Sequence, residues 1–267
     1  MVHKVLITVK TYPTLSSKYE ESVCTAGFKE NGEFIRIYPV PFRKLPYENQ
    51  YKKYDWITID MQKNMSDFRP ESYRPISLNT KIEVISNIGT KSNWYERKKV
   101  VLKRVHTDIK KIEAEARDRS KLTSLAVFKP TKIKNFTWTS WGTEWSKRKL
   151  DRLKQLKLFE TESNIIRKLP YKFVYEFEDE LGETRNMLVE DWEVGALFWK
   201  CLKRKGGNET LALQDVKKKF FDEFPKTKDL YFFLGTTILH HFKPRPFIII
   251  GLFYPSKESP DLFTNNK

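Results

Sequence analysis

Four aromatic residues fall within eleven positions of this chain, in Asn135-Phe136-Thr137-Trp138-Thr139-Ser140-Trp141-Gly142-Thr143-Glu144-Trp145. A basic run follows at once: Lys147, Arg148, Lys149, Arg152, Lys154 and Lys157. Nucleobases stack on aromatic faces while phosphates pair with Lys and Arg, so this combination carries the chemistry of single-strand or flipped-base binding. The alternative is that Phe136, Trp138, Trp141 and Trp145 are core residues beneath a solvated basic helix. A second cluster is Asp67-Phe68-Arg69-Pro70-Glu71-Ser72-Tyr73-Arg74-Pro75, whose two prolines predict a rigid loop. Asp67, Arg69, Glu71 and Arg74 could form a recognition surface, with the arginine forks reading phosphate or a guanine edge. Equally, the loop's charges could pair with each other and only hold its shape.

Residues for catalysis are sparse. The four histidines are His3, His106, His240 and His241, and neighbours on a strand face opposite ways, so the adjacent pair cannot share one metal. Walker-type glycine loops and Gly-x-Ser-x-Gly are absent from the sequence. Asp55, Asp60 and Glu83 could converge on a metal, which is the alternative reading of a metal-dependent nuclease. Glu190-Asp191 with Glu193 reads as a helix start, where acids complement the dipole. Cys24 and Cys201 cannot form a zinc site unaided and are expected as reduced thiols. No cofactor, metal or catalytic role is therefore expected.

The charge is unevenly placed. The chain has 50 Lys+Arg against 34 Asp+Glu, and residues 97–157 alone hold 19 basic and 6 acidic residues. A polyanion is the expected partner of such a segment, because neutralising its phosphates releases condensed counterions. A basic helix docking on an acidic partner protein is a further reading. Val5–Val9 is too short for a secretory leader, and Phe247–Phe253 is too short to span a bilayer. A cytoplasmic protein with no membrane partner is expected.

These residues must be positioned by a folded frame. Aromatic residues make up 14% of the chain, enough to build a core from few side chains. Val5–Val9, 22–28, 33–38, 56–61 and 81–86 read as strands, and Asn31-Gly32 predicts a hairpin between the second and third. Trp56, Thr58 and Asp60 alternate with Ile57, Ile59 and Met61. Val101, Val105, Ile109, Ile112 and Ala116 recur at helical spacing from 96 to 122. Ser146 reads as the N-cap of a basic helix whose Leu150, Leu153, Leu156 and Phe159 form one stripe. Tyr171–Phe177 and Thr184–Val189 flank a turn at Glu180–Glu183. Asp191 and Asn208 are expected to cap two helices, the second ending at Pro225. Two buried strands, Leu230–Leu234 and Phe247–Phe253, complete the pattern.

Val23-Cys24-Thr25-Ala26-Gly27 followed by Gly32-Glu33-Phe34-Ile35-Arg36-Ile37-Tyr38-Pro39-Val40 resembles the opening of prokaryotic proteins described as having dual OB-type domains. Phe34 stands where that pattern carries Trp. The resemblance implies OB-like barrels and a setting in prokaryotic nucleic-acid processing or antiviral defence, and it carries over no catalytic residue. The expectation is an α+β chain. An N-terminal OB-like antiparallel barrel (1–95) leads through a basic, mostly helical connecting segment (96–165) to an antiparallel sheet with two inserted helices (166–257) and a flexible tail (258–267). The expected function is nucleic-acid binding, DNA or RNA, as a non-catalytic recognition subunit working with a catalytic effector. The residues expected to carry it are Arg36, Arg69, Arg74, Trp138, Trp141, Lys147, Arg148, Lys149, Arg152 and Lys154.

Overall fold

The computed structural model describes residues 1–16, 20–156 and 166–258. The fold is α+β, built on two sheets. The first contains β1 (Val2–Lys10), β2 (Thr14–Ser16), β3 (Glu20–Lys29), β4 (Phe34–Val40), β5 (Asp55–Lys63), β6 (Ser72–Pro75) and β7 (Ile82–Asn87). The order β1-β3-β4-β6-β5 closes because β5 returns to β1, giving a five-stranded barrel. Its β4–β6 pairing is parallel and the other four are antiparallel. The alternation along β5 puts Ile57, Ile59 and Met61 inside the barrel with Val5, Ile7, Ile35 and Ile37. At the β3–β4 hairpin, Gly32 has φ +88°, the left-handed conformation that the Asn-Gly turn requires, and Phe28 faces Phe34. Gly27 sits where β1 and β3 press together: a Cβ there would lie 1.9 Å from the Leu6 carbonyl oxygen.

The chain continues through α1 (Lys91–Val101), β8 (Val105–His106), α2 (Ile109–Arg117), β9 (Leu125–Phe128), β10 (Lys132–Ser140) and α3 (Lys147–Leu156). Then come β11 (Tyr171–Glu178), β12 (Thr184–Val189), α4 (Trp192–Arg204), α5 (Glu209–Lys217), a π-helical turn (Lys218–Glu223), α6 (Phe224–Thr227), β13 (Tyr231–Thr236) and β14 (Phe247–Phe253). The second sheet has the order β10-β11-β12-β14-β13-β9-β8.

This sheet is covered on both faces. One face packs Phe136, Phe173, Tyr175 and Phe232 against Ile112 of α2, Phe198 of α4, Val216 of α5 and Phe220. The other packs Leu125, Val127, Phe233 and Ile250 against Leu6, Val9, Ala26 and Phe28 of the barrel. Strands buried on both sides read as continuous apolar runs, which is why Phe247–Phe253 and Val5–Val9 show so little alternation.

Several expectations change. The C-terminal sheet is mixed, because β12 pairs with β14 and β8 with β9 in parallel. Strands β8, β9 and β10 belong to it, so residues 105–140 are part of the second sheet rather than a helical connector. The helical spacing from 96 to 122 is broken in the middle. Val105–His106 leaves the helix to pair with Val127–Phe128, and Asp108 starts α2 by accepting a hydrogen bond from the Lys111 backbone N–H at 3.0 Å. Pro225 does not end its helix: it lies in the first turn of α6, where its missing N–H leaves no bond unmade. Asp191 and Asn208 cap α4 and α5 through the backbone N–H groups of Glu193 and Leu211, as expected. Lys157, Phe159 and residues 259–267 of the expected tail lie outside the described residues.

Candidate functional site

Two of the arginines expected to face a polyanion are inside the protein. Arg36 is 3% exposed. Its guanidinium donates to Ser124 Oγ at 2.9 Å and to the carbonyl oxygens of Ser124 and Thr236 at 3.1 and 3.4 Å. Arg69 is also buried, donating from Nε to Asp67 Oδ1 at 2.8 Å, from Nη2 to Asp67 Oδ2, and from Nη1 to the Thr236 carbonyl. Burial alone would raise the Asp67 carboxyl, but hydrogen bonds from Arg69 and Ser72 outweigh it and hold its pKa down to about 2. Glu71 completes the set by accepting from Ser124 Oγ at 2.6 Å. Arg36, Arg69 and the proline loop therefore clasp the barrel to β9 and β13, and their guanidinia cannot reach a phosphate. Of the three arginines only Arg74 is exposed.

A second clasp joins Lys53 of the barrel to the cap of α4. The Lys53 ammonium lies 2.8 Å from both oxygens of Asp191 and 3.4 Å from Glu193. Burial works against this ammonium, and the two carboxylates more than offset it, so its pKa is raised.

The concentrated positive charge of residues 97–157 is dispersed by the fold. Lys98 pairs with Glu258, Arg104 with Glu115, Lys110 with Glu183, Lys129 with Asp229 and Lys134 with Glu178. Four of those five acids come from outside the segment, which offsets part of its excess. Lys103, Lys111, Arg117, Arg119 and Lys132 stay exposed with no carboxylate partner among the described residues, and three more such cations stand in a row at the corner between β10 and α3. Lys147, Arg148 and Lys149 are exposed there and pair with no carboxylate among the described residues. Arg152 and Lys154 lie on α3, and their side chains fall outside the described residues.

The four aromatics of the same stretch separate by strand geometry. Phe136 and Trp138 share one face of β10, since side chains repeat every second residue. Phe136 is fully buried, and Trp138 packs against the same core. Trp145 donates its indole N–H to the Ile166 carbonyl at 2.9 Å, with Lys149 5.3 Å above its ring. Trp141 is 51% exposed. The Lys172 ammonium lies 2.9 Å from its ring centroid, and Lys168 donates to its carbonyl at 2.5 Å. The corner thus gathers Trp141, Trp145, Lys147, Arg148, Lys149, Lys168 and Lys172. Lys168 and Lys172 escaped the sequence reading. The register that brings them to Trp141 was the missing signal, and it is set by the pairing of Ser140 with Tyr171.

Asp55, Asp60 and Glu83 do not converge. Asp55 is buried on the inner side of β5, accepting from Asn87 Nδ2 and the Lys52 backbone N–H, both at 2.6 Å. Asp60 holds the N-terminal ammonium at 2.6 Å and Glu83 pairs with Lys81 at 2.8 Å, both on the outer surface. Among the described residues no group of three His, Cys, Asp or Glu is placed to hold a metal ion, and Cys24 and Cys201 are free thiols. Among them, too, no helix is long and apolar enough to cross a membrane.

Residues 105–267 match the family described as Domain of unknown function (DUF8757), and residues 1–103 match Domain of unknown function (DUF8758). The boundary falls at the start of the second sheet. Neither a curated protein nor a solved structure matches the chain.

Proposed function

The chain belongs to the family described as Domain of unknown function (DUF8757), and we propose that it is a nucleic-acid-binding protein that recognises its ligand at the β10–α3 corner without catalysing a reaction. The observation that carries this reading is a half-exposed indole, Trp141, with the Lys172 and Lys168 ammoniums 2.9 and 5.5 Å from its ring and exposed Lys147, Arg148 and Lys149 a few positions on, none of them paired with a carboxylate among the described residues. A stacking face beside unpaired cations suits a single strand, whose bases are free to stack while its backbone follows the charge. An OB-like character for the barrel, and a role as recognition subunit beside a catalytic effector in prokaryotic nucleic-acid processing or defence, belong to the same proposal.

The test is binding of labelled single-stranded DNA, single-stranded RNA and duplex, read by fluorescence anisotropy over a salt series. Five cations at the corner give a slope of log K against log salt of about −3.5 for a single strand, at about −0.7 per phosphate. Replacing Lys147, Arg148 and Lys149 together by Ala reduces the slope by about 2. A slope near zero for every ligand overturns the proposal.

A further inference from the structure

At one edge of the junction between barrel and second sheet the packing opens into a cavity of about 430 Å³, walled by Lys10, Tyr54, Trp94, Arg97, Trp192 and Tyr254. That volume lies in the range of small-molecule sites. Lys53 also reaches this cavity, but its charge is matched by Asp191 and Glu193.

The other two inner cations are not matched. The Lys10 ammonium lies over the rings of Phe42 and Trp192, 3.9 and 4.5 Å from their centroids, and its single hydrogen bond is a long one, 3.4 Å to the Tyr51 carbonyl. Arg97 is 8% exposed, stacks over Tyr54 at 3.7 Å and Trp94 at 4.7 Å, and donates from Nε to the Ile88 carbonyl at 2.8 Å. Among the described residues neither forms an ion pair with a carboxylate. Rings attract cations, but they do not replace a counter-ion in a desolvated site. Burial accordingly pushes both pKa values down, Lys10 to about 8.

Two further observations point to the same place. The Tyr54 hydroxyl is buried and has no hydrogen-bond partner among the described residues. A buried hydroxyl left unpaired is costly, so it calls for an acceptor. Tyr54 and Trp94 are also both held in left-handed backbone, at φ 69° and 63°, and Ser92 and Asn93 share that conformation. The fold keeps this unfavourable turn by bonding the Asn93 amide to the Ser256 backbone, at 2.9 and 2.7 Å. Strain of this kind gathers at ligand sites.

We propose that this cavity binds an aromatic phosphate of the nucleoside 5′-monophosphate class, with the phosphate between Lys10 and Arg97, the Tyr54 hydroxyl donating to it, and the base against the indoles of Trp94 and Trp192. Glu193 lies on the wall but is occupied by Lys53 and by the Tyr254 hydroxyl, which donates to it at 3.1 Å. None of these residues belongs to the β10–α3 corner, so the two sites are tested separately.

The experiment titrates the full chain with 5′-AMP, 5′-UMP, adenosine and inorganic phosphate, followed by tryptophan fluorescence and calorimetry. Saturable binding of at least one nucleotide, about tenfold or more tighter than adenosine and than phosphate, is expected. Lys10→Met and Arg97→Met should each weaken it about tenfold or more. Tyr54→Phe removes one oxygen only; it should weaken nucleotide binding several-fold while the melting temperature holds or rises. Binding of neither nucleotide, equal binding of phosphate and nucleotide, or binding indifferent to all three variants overturns the proposal. Loss of strand binding at the corner leaves this result unaffected.

Discussion

Replacing Asp191 by Ala is the sharpest test of how the two sheets are held. The Asp191 side chain is fully buried and accepts four hydrogen bonds from three partners. It caps α4 through the Glu193 N–H at 2.9 Å, accepts from the Leu252 N–H at 2.8 Å, and binds Lys53 through both oxygens. Losing the cap costs about 1 kcal/mol. An unpaired Leu252 N–H costs about another 1. Stranding the Lys53 ammonium, 9% exposed, costs about 3 kcal/mol, at the low end for a broken buried pair because Glu193 remains at 3.4 Å. The expected loss is therefore about 5 kcal/mol, comparable to the whole stability of many domains. Urea unfolding of the wild type, Asp191→Ala, Lys53→Met and the double variant measures it. Lys53→Met leaves the cap and the Leu252 bond in place and should cost less. The double variant should fall short of the sum by about 2 kcal/mol. A loss below about 1.5 kcal/mol for Asp191→Ala, or strict additivity, would refute this account of the clasp.

Other perturbations read other parts of the structure. Asp67 titrates at about 2 when folded against 3.8 ordinarily, so its contribution is present above pH 3.8 and is lost as pH falls toward 2. Stability should drop by about 2 kcal/mol across that window, and Asp67→Asn should abolish that slope in acid unfolding. Gly27→Ala, which would drive a Cβ into the Leu6 carbonyl, should abolish soluble expression or destabilise the barrel by several kcal/mol in a thermal melt. Trp141→Ala should weaken single-strand binding by about 1–3 kcal/mol with little change in melting temperature. Trp138→Ala should do the reverse, because Trp138 packs on the core. Nucleotide binding at the Lys10 cavity should weaken by up to tenfold per pH unit above about 8, as the ammonium is lost. Lys53, Asp55, Asp191 and Glu193 also act on Lys10 and set where that fall begins. Stability should move the other way between pH 8 and 10.5, because the folded chain gives up the Lys10 proton before the unfolded chain does.

Local features were the legible ones. The Asn31-Gly32 hairpin, the alternation along β5 and the caps at Asp191 and Asn208 depend on residues within a few positions of each other, and all appear in the fold. The helical spacing around Val105 misled because two residues were taken into a sheet edge by Val127 and Phe128, twenty-two positions away. Nothing local reveals the burial of Arg36, because its partners, Ser124 and Thr236, lie 88 and 200 positions on. Trp138 and Trp141 looked alike, but Trp138 lies on β10 against the core while Trp141 falls just past the strand's end at Ser140.

By itself the sequence determined the longer alternating or apolar strands, the Asn31-Gly32 turn, the helix caps and the total charge, since these follow from side-chain type and short-range geometry, whereas β8, β9 and β10 exist only through pairing with distant strands. Which cations remain free was decided only by the tertiary structure. Charge adds along a chain, but pairing and burial depend on what the fold brings near. Thus of a segment with 19 basic residues several are drawn into ion pairs and three stand together beside Trp141 without a carboxylate partner among the described residues, while Lys10 and Arg97, 87 positions apart, meet at one cavity with no carboxylate partner among those residues.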